Sequence, residues 1–127
     1  MSDAKASIAS YRGLAVWQKG MDLVVSSYKL ARRLPASETY GLAIQIQRAA
    51  VSVPANIAEG YDRHHVGDYL HHVSIAKGSQ KELETHLLIA QRPSYLREDQ
   101  IELALALAAQ DGQMLRGLAQ GLRKKQV

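Results

Sequence analysis

Apolar side chains recur at spacings of three and four residues along most of this 127-residue chain. That spacing is the repeat of an amphipathic α-helix, which must bury its apolar side against another element. Breaks in the pattern predict four helical segments, over residues 14–33, 37–60, 66–91 and 97–123. No stretch shows the apolar–polar alternation of a strand flanked by turn signals. The pattern therefore predicts an all-α fold.

The predicted helices are joined by three short connections, at residues 34–37, 61–65 and 92–96. Short connections make successive helices antiparallel neighbours, so the sequence predicts an up-down antiparallel four-helix bundle. The length of the chain corresponds to about one domain. We expect a flexible tail over residues 1–12, the bundle over residues 13–124 and a short basic end over residues 125–127.

Local features refine the second and third helices. Ser37 is a suitable N-cap for the second helix. Pro54 lies inside that helix and lacks an amide proton, which predicts a bend rather than a break. Gly78 lies inside the third helix, where glycine costs about 1 kcal/mol relative to alanine. We therefore expect another backbone to approach closely at Gly78, with Ser79 near Gln47 of the second helix.

The fourth segment carries more apolar surface than a monomeric bundle requires. Its main stripe consists of Ile101, Leu105, Ala108, Leu115, Leu118 and Leu122. A second stripe lies to one side and consists of Leu103, Leu107 and Met114. The second stripe is compatible either with a wide core face or with a subunit interface.

Composition excludes several classes of function. The chain has no cysteine, so disulfides, thiolate metal sites and cysteine nucleophiles are excluded. Residues 1–10 lack the basic-then-apolar order of a secretory signal. The longest strongly apolar stretch, residues 103–109, is far shorter than the roughly 20 residues that span a bilayer. We expect a cytoplasmic protein without membrane contact.

The charge of the chain is positive at both ends and negative in the middle. Residues 1–33 hold six basic and two acidic side chains, residues 34–111 hold six and ten, and residues 112–127 hold four and none. A net charge of +4 can simply keep a protein soluble; the more specific interpretation is that the basic ends bind a polyanionic partner. The residues predicted to contact nucleic acid are Arg32, Arg33, Arg116, Arg123, Lys124 and Lys125.

These basic residues fall into groups at different ends of the predicted bundle. In an up-down bundle the first and fourth helices end at opposite poles, so Arg32 and Arg33 should lie far from Arg123, Lys124 and Lys125. Two distant clusters do not form one compact groove on a monomer. In a ring of subunits, like clusters would gather around an axis and their electric fields would add.

Four of the five histidines cluster around the predicted start of the third helix. They are His64, His65, His71 and His72, with Asp68 between them. Such residues on one helix face could bind zinc or nickel. The alternative is a solvated surface that gains positive charge below about pH 6.5. Because the spacing differs from the His-Glu-x-x-His pattern of metallopeptidases, we predict no metal site.

Carboxylates and serines give no sign of catalysis. Glu82 and Glu84 are two positions apart and diverge on a helix, whereas Glu59 precedes Arg63 by four residues and suits an ordinary ion pair. The sequence contains neither a Gly-x-Ser-x-Gly motif nor a glycine-rich phosphate loop. We therefore predict a protein that is not an enzyme, with no cofactor and no small-molecule substrate.

Three stretches of the chain resemble a known protein family. They are residues 14–30 (LAVWQKGMDLVVSSYKL), 40–63 (YGLAIQIQRAAVSVPANIAEGYDR) and 75–90 (IAKGSQKELETHLLIA). Within the second stretch, the segment QRAAVSVPANIAEG is specific. The chain resembles the small four-helix bundle proteins encoded in intervening sequences of bacterial 23S ribosomal RNA genes. The same fold family includes the accessory protein of diversity-generating retroelements, which assists a reverse transcriptase.

The resemblance implies a four-helix bundle, a homopentameric ring and a basic surface that binds nucleic acid. The residues that match the family pattern are Arg48, Asn56, Glu59, Gly60, Arg63, Gly78, Ser79, Glu82 and Glu84. Several of them are expected to build the hairpin of the second and third helices. The chain departs from the pattern at Gly20, where the family usually has alanine, and at His71 and His72, in a stretch usually richer in aromatic residues.

Three hypotheses for the function follow. The first is a non-enzymatic oligomer that binds RNA or DNA through phosphate contacts. The second is a protein-binding scaffold, in which the extra apolar stripe of the fourth helix recruits a partner such as a reverse transcriptase. The third is a metal-dependent enzyme that uses the clustered histidines. Salt-dependent RNA binding and metal content would separate them.

Overall fold

The structure is a computed structural model, and it describes residues 10–126. This part of the chain forms four α-helices: α1 (Ala15–Ala31), α2 (Leu42–Tyr61), α3 (Val66–Gln91) and α4 (Glu98–Lys125). Short 3₁₀ helices at Tyr11–Gly13 and Ala36–Glu38 precede α1 and α2. No strand occurs within residues 10–126. The predicted all-α class is confirmed.

The four helices pack as an antiparallel bundle. Each helix contacts the next one along the chain, and α1 also contacts α4, which closes the arrangement. Leu30 at the end of α1 shares an apolar cluster with Ile101 at the start of α4, whereas Val16 shares another with Leu122. Neighbouring helices therefore run in opposite directions, as their short connections predict.

The start of α2 differs from the prediction. Ser37 is not the N-cap of α2, because it lies within the preceding 3₁₀ helix and α2 begins only at Leu42. The backbone N–H of Leu42 instead donates to the Glu38 Oε1 atom at 3.0 Å. A carboxylate at this position satisfies a free amide and complements the positive end of the helix dipole.

Pro54 lies inside α2 without ending it, since the helix continues from Leu42 to Tyr61. Its ring is buried against α1. A Cβ atom at Gly20 would lie 3.4 Å from the Cβ atom of Pro54 and 3.3 Å from the Oδ2 atom of Asp111. Gly20 therefore allows α1 to approach both α2 and α4 closely.

The α2–α3 hairpin is paired differently from the prediction. Gly78 is exposed, and a Cβ atom there would meet nothing within 4 Å, so Gly78 does not mark the closest approach. Gly60 does, because its Cβ atom would lie 2.8 Å from the Cβ atom of His72. Ser79 contacts Ser52 and not Gln47, with 2.7 Å between the two Oγ atoms. The pairing is shifted along the chain because the turn is centred beyond residue 63.

The apolar core is divided into two clusters. One contains Leu23, Ile46, Leu83 and Ala108, and the other contains Val53, Ala76 and Leu115 among its members. Between them lie residues from all four helices, which we call the central layer: Gly20, Pro54, Gln80, Asp111 and Gly112. Gln80 and Asp111 are buried polar residues in this layer.

The two apolar stripes of α4 have different environments. In the main stripe Ile101, Ala108, Leu115 and Leu122 are buried, and Leu105 and Leu118 are half-buried. In the second stripe Leu107 and Met114 pack against the core, whereas Leu103 is 63% exposed. The second stripe thus mainly widens the core face. None of the helices in residues 10–126 is both long and apolar enough to cross a membrane.

Only some of the predicted domain limits fall within the described residues. Residues 1–9 of the expected tail, and Val127 at the other end, lie outside the described residues. Ser10 caps the first 3₁₀ helix by accepting a hydrogen bond from the backbone N–H of Arg12 at 3.2 Å. At the C-terminus, Lys125 is still part of α4.

Candidate nucleic-acid interface

The predicted basic residues lie at both ends of the bundle. Arg32 and Arg33 follow the last turn of α1 and are exposed. Arg123, Lys124 and Lys125, which we call the C-terminal basic cluster, form the last turn of α4 and are also exposed. Since α1 and α4 are antiparallel, the two groups are at opposite poles, and the structure does not bring them together.

No carboxylate within residues 10–126 forms an ion pair with the C-terminal basic cluster. Ion pairs within residues 10–126 engage Arg63, Lys81 and Arg97 among the lysines and arginines, and none engages this cluster. Cations in the last turn of a helix also interact favourably with the helix dipole. Each of these residues therefore has a structural role that does not require a ligand.

A second group of cations lines a cleft between α3 and α4. Lys77 and Lys81 are one turn apart on α3, and Arg116 faces them from α4. The cleft has a volume of about 170 Å³ and is also lined by Gln80, Glu84, Ala109, Gly112 and Gln113. Arg116 had been predicted from the sequence, whereas Lys77 and Lys81 had not. A lysine pair on one helix resembles an ordinary solvated face, and only the packing of α3 on α4 brings these lysines to Arg116.

Glu84 is the carboxylate of the α3–α4 cleft. Its Oε2 atom accepts a hydrogen bond from the Nε2 atom of Gln80 at 2.8 Å, and its Oε1 atom lies 3.3 Å from the Nζ atom of Lys81. Gln80 is only 3% exposed and packs on Gly112 of α4. With three cations and one carboxylate, the cleft carries a formal charge of +2.

Arg123 of the C-terminal basic cluster lies on the same side of α4 as Arg116 of the cleft. Arg116 and Arg123 are seven residues apart, which places them on the same side of the helix at a separation of about 10 Å along its axis. Both are exposed. This side of α4 therefore carries a basic side chain in the middle of the helix and another at its end, whereas Lys124 and Lys125 project to other sides.

Several residues of the family pattern hold α2 against α3. The Nδ2 atom of Asn56 donates to the carbonyl oxygen and Oγ atom of Ser52, at 2.8 and 3.0 Å. Its Oδ1 atom is therefore the acceptor for the Nδ1–H group of His72, at 3.0 Å. The Ser79 hydroxyl donates to Ser52 at 2.7 Å. Together with the glycine contact at Gly60, these bonds assign Asn56, Gly60 and Ser79 to the hairpin.

The remaining pattern residues are more exposed. Glu59 and Arg63 form the predicted ion pair, with 2.8 Å between Oε2 and Nη2. The Glu82 carboxylate lies 3.5 Å from the Nε2 atom of His86, on a different side of α3 from Glu84. Arg48 is exposed on α2. None of these contacts pairs two carboxylates.

The clustered histidines do not converge. His64, His65 and His71 are exposed, and His72 is engaged with Asn56 and lies 3.7 Å from the Oε2 atom of Glu59. In residues 10–126 no group of three or more His, Cys, Asp or Glu side chains is placed to hold one metal ion.

Asp111 is the most unusual ionisable residue of the bundle. It is fully buried in the central layer, and neither carboxylate oxygen has a hydrogen-bond partner among the described residues. Burial raises the pKa of this carboxyl from 3.8 to about 7, against a smaller opposing effect of Lys19. The burial of Asp111 could not be predicted from the sequence, because an aspartate within a helix ordinarily faces solvent.

Comparison with known proteins adds a family and a fold. The model of a family described as "23S rRNA-intervening sequence protein" matches residues 12–117. No curated protein matches the chain. A crystal structure from Bacteroides thetaiotaomicron, described as a protein with unknown function from the S23 ribosomal protein family, is 23% identical with a TM-score of 0.76. The alignment covers 83% of this chain and 98% of that one, and at this identity it shows a shared fold.

Proposed function

This chain belongs to the 23S rRNA-intervening sequence protein family, and we propose that it is a non-enzymatic protein that binds RNA or DNA through basic surface residues. The observation that carries the proposal is the row of exposed cations on α4. Arg116 is followed two turns later by Arg123, Lys124 and Lys125, and the chain has no acidic residue after Asp111. Phosphate groups are the natural partners of such a row.

The contacts should go mainly to the sugar–phosphate backbone. Aromatic residues make up only 6% of the chain, so stacking on bases should contribute little. Phosphate contacts fix the position of a ligand without reading its sequence. We therefore expect low sequence specificity. The chemistry needed is electrostatic attraction alone, which is consistent with a cytoplasmic protein that uses no cofactor.

We further propose that the protein acts as a homo-oligomer, with the pentameric ring that the family resemblance implies. Exposed apolar side chains on α1 and α2, namely Met21, Val25 and Val51, support a contact between subunits. A ring would present several basic surfaces at once, and linked sites bind more tightly than single ones. Light scattering that gives the mass of a monomer at micromolar concentration would contradict this part of the proposal.

A salt titration tests nucleic-acid binding. The affinity for a fluorescently labelled single-stranded RNA, measured by anisotropy, should fall by about 0.7 log units per phosphate contact for each log unit of salt. Changing Arg123, Lys124 and Lys125 together to glutamine should make this slope less steep by about 2 if each of them contacts one phosphate. Circular dichroism would verify that the helices are intact.

Arg63 and Arg97 provide a matched control. Both are surface arginines that are already paired with carboxylates, and changing them to glutamine should alter the slope little. Wild-type protein that shows no affinity for RNA or DNA at low salt, or an affinity that salt does not change, would overturn the proposal.

A protein-binding scaffold is the second candidate function. Leu103 is 63% exposed on α4, and Leu88 and Ile89 are about half exposed near the end of α3. Such residues suit a protein partner, for which the family resemblance suggests a reverse transcriptase. If RNA binding fails, changing Leu103 to serine and measuring binding to a candidate partner would test this alternative.

A further inference from the structure

The α3–α4 cleft differs from the other basic surfaces because its cations come from two helices. Lys77 and Lys81 project from α3, and Arg116 projects from α4. Lys77 and Arg116 have no ion pair with any residue in the described part of the chain. Cations that surround one concave space can contact the same anion, whereas cations along a helix end contact different ones.

Small residues and a fixed amide form the rest of the cleft. Ala109 and Gly112 on α4 leave room between the helices. A Cβ atom at Gly112 would lie 3.1 Å from the Cδ and Oε1 atoms of Gln80, so only glycine leaves the Gln80 side chain undisturbed. Gln80 is nearly fully buried and is held by Glu84 at 2.8 Å. The cleft is therefore supported from beneath by packed side chains.

Glu84 already acts as an anion in this site. Its two oxygens receive the Gln80 amide and the Lys81 ammonium group, which are the kinds of donor that a phosphate oxygen would use. The Glu84 side chain is only 20% exposed, so it remains in the cleft rather than extending into solvent. With the Glu84 charge included, the cleft still has a formal charge of +2, which can attract a second anion.

We propose that the α3–α4 cleft is a phosphate-binding subsite, in which Lys77, Lys81 and Arg116 hold one phosphate group of a nucleic-acid backbone. This inference rests on the proposed function and assigns one location to it. Glu84 orients Lys81 and Gln80, and it weakens the affinity of the cleft by its own charge. The backbone of the same nucleic acid continues from this phosphate along α4 to the C-terminal basic cluster.

Binding of single-stranded RNA tests the subsite in the full chain. Changing Lys77 and Arg116 together to glutamine should make the salt dependence less steep by up to about 0.7, which corresponds to the loss of one phosphate contact. Glu84→Gln should increase the affinity about threefold to fivefold at low salt, as expected for removing one negative charge a few ångströms from the ligand in a water-like dielectric.

Glu82→Gln is the matched control for Glu84→Gln. The two changes remove the same charge from the same helix, but Glu82 is 59% exposed and its carboxylate contacts His86 outside the cleft. The Glu82→Gln protein should bind RNA within about twofold of wild type. Equal increases for Glu82→Gln and Glu84→Gln would mean that only net charge matters, and the subsite proposal would be wrong.

A second measurement uses inorganic phosphate and does not depend on nucleic-acid binding. In amide NMR spectra of the wild-type chain, phosphate should shift the signals of Ala109, Gly112 and Lys81, and these shifts should disappear in the Lys77/Arg116 variant. Shifts at the cleft without any RNA or DNA binding would identify free phosphate as the ligand and would refute only the proposed function.

A second pattern of results would refute only the subsite. In that pattern RNA binding would be salt-dependent and would weaken when the C-terminal basic cluster is changed, but the Lys77/Arg116 variant would bind RNA like wild type. Phosphate would then shift no signal in the cleft. Circular dichroism and thermal melting of each variant would show that the bundle is folded.

Discussion

Asp111 should make the bundle less stable as the pH rises from about 4 to about 8. Its carboxyl is fully buried, and burial raises its pKa from 3.8 to about 7. Because the pKa is higher in the folded state, the folded protein binds the proton more tightly than the unfolded chain does. The resulting contribution to stability is complete below about pH 4 and is lost as the pH rises through 7.

The size of the effect follows from the shift in pKa. The rise in the pKa of Asp111 from 3.8 to about 7 corresponds to about 4 kcal/mol, at about 1.36 kcal/mol for each tenfold change in proton affinity. Asp111→Asn has nearly the same shape but cannot ionise. The variant should therefore match wild type near pH 4 and exceed it by up to about 4 kcal/mol near pH 8. At about 3–4 °C per kcal/mol for a domain of this size, the difference in Tm would be on the order of 12–16 °C.

Urea unfolding followed by circular dichroism at several pH values measures this difference directly. Lys19 on α1 is the charged group that opposes the shift, while α2 and α3 contribute the uncharged residues Pro54 and Gln80 to the same layer. Asp22→Asn, at an exposed position of α1, is the control and should show no such trend. If the free-energy difference between wild type and Asp111→Asn stays constant from pH 4 to pH 8, the reasoning is refuted.

Three further substitutions test the packing, and thermal melting can measure each. Gly60→Ala should destabilise the protein by about 1–3 kcal/mol, because the new Cβ atom would lie within 3.0 Å of His72 and Tyr69; an unchanged Tm would mean that the hairpin is looser than described. Gly78→Ala should instead stabilise by up to about 1 kcal/mol, since the site is open and helical, and a loss of stability would contradict this. Ser27→Ala should raise stability by about 1 kcal/mol by removing a buried hydroxyl that has no partner in the described residues, whereas a decrease would reveal one.

The bundle itself could be predicted because apolar side chains recur at helical spacings and the pattern is interrupted between the helices. The bounds of α3 agree with the prediction at both ends, where His-rich and proline-containing loops interrupt the pattern. The start of α2 could not be predicted as well. Ser37 is a residue type that suits an N-cap, but the connection after Pro35 first forms a 3₁₀ helix, the N-cap is Gly41, and Glu38 accepts the hydrogen bond from the first amide of α2.

The candidate site was less predictable because it depends on contacts between helices. Arg116 and the C-terminal basic cluster stand out in a charge count. Lys77 becomes a candidate only because the packing of α3 on α4 places it in the same cleft as Arg116. The prediction that another backbone approaches Gly78 closely was wrong for the same reason. A glycine within a helix can mark either a close contact or an open surface, and the sequence does not distinguish between them. Within the α2–α3 hairpin, Gly60 at the end of α2 was the glycine that the packing required.

The central layer has a consequence for how uniquely the helices align. One buried row of α4 at seven-residue spacing, Ile101, Ala108, Leu115 and Leu122, is entirely apolar. If α4 slid along its neighbours by two turns, this row would still meet apolar side chains, so apolar packing alone permits more than one register. Such a slide would carry Asp111 into an apolar cluster and, depending on its direction, bring Ala104 or Leu118 to the place of Asp111 beside Gly20. A buried polar residue can thus select a single register at a cost in stability. Asp111→Leu should therefore be more stable but less uniquely aligned, and doubled amide signals in its NMR spectrum would reveal the second register; a single sharp set would show that the glycines and Pro54 suffice.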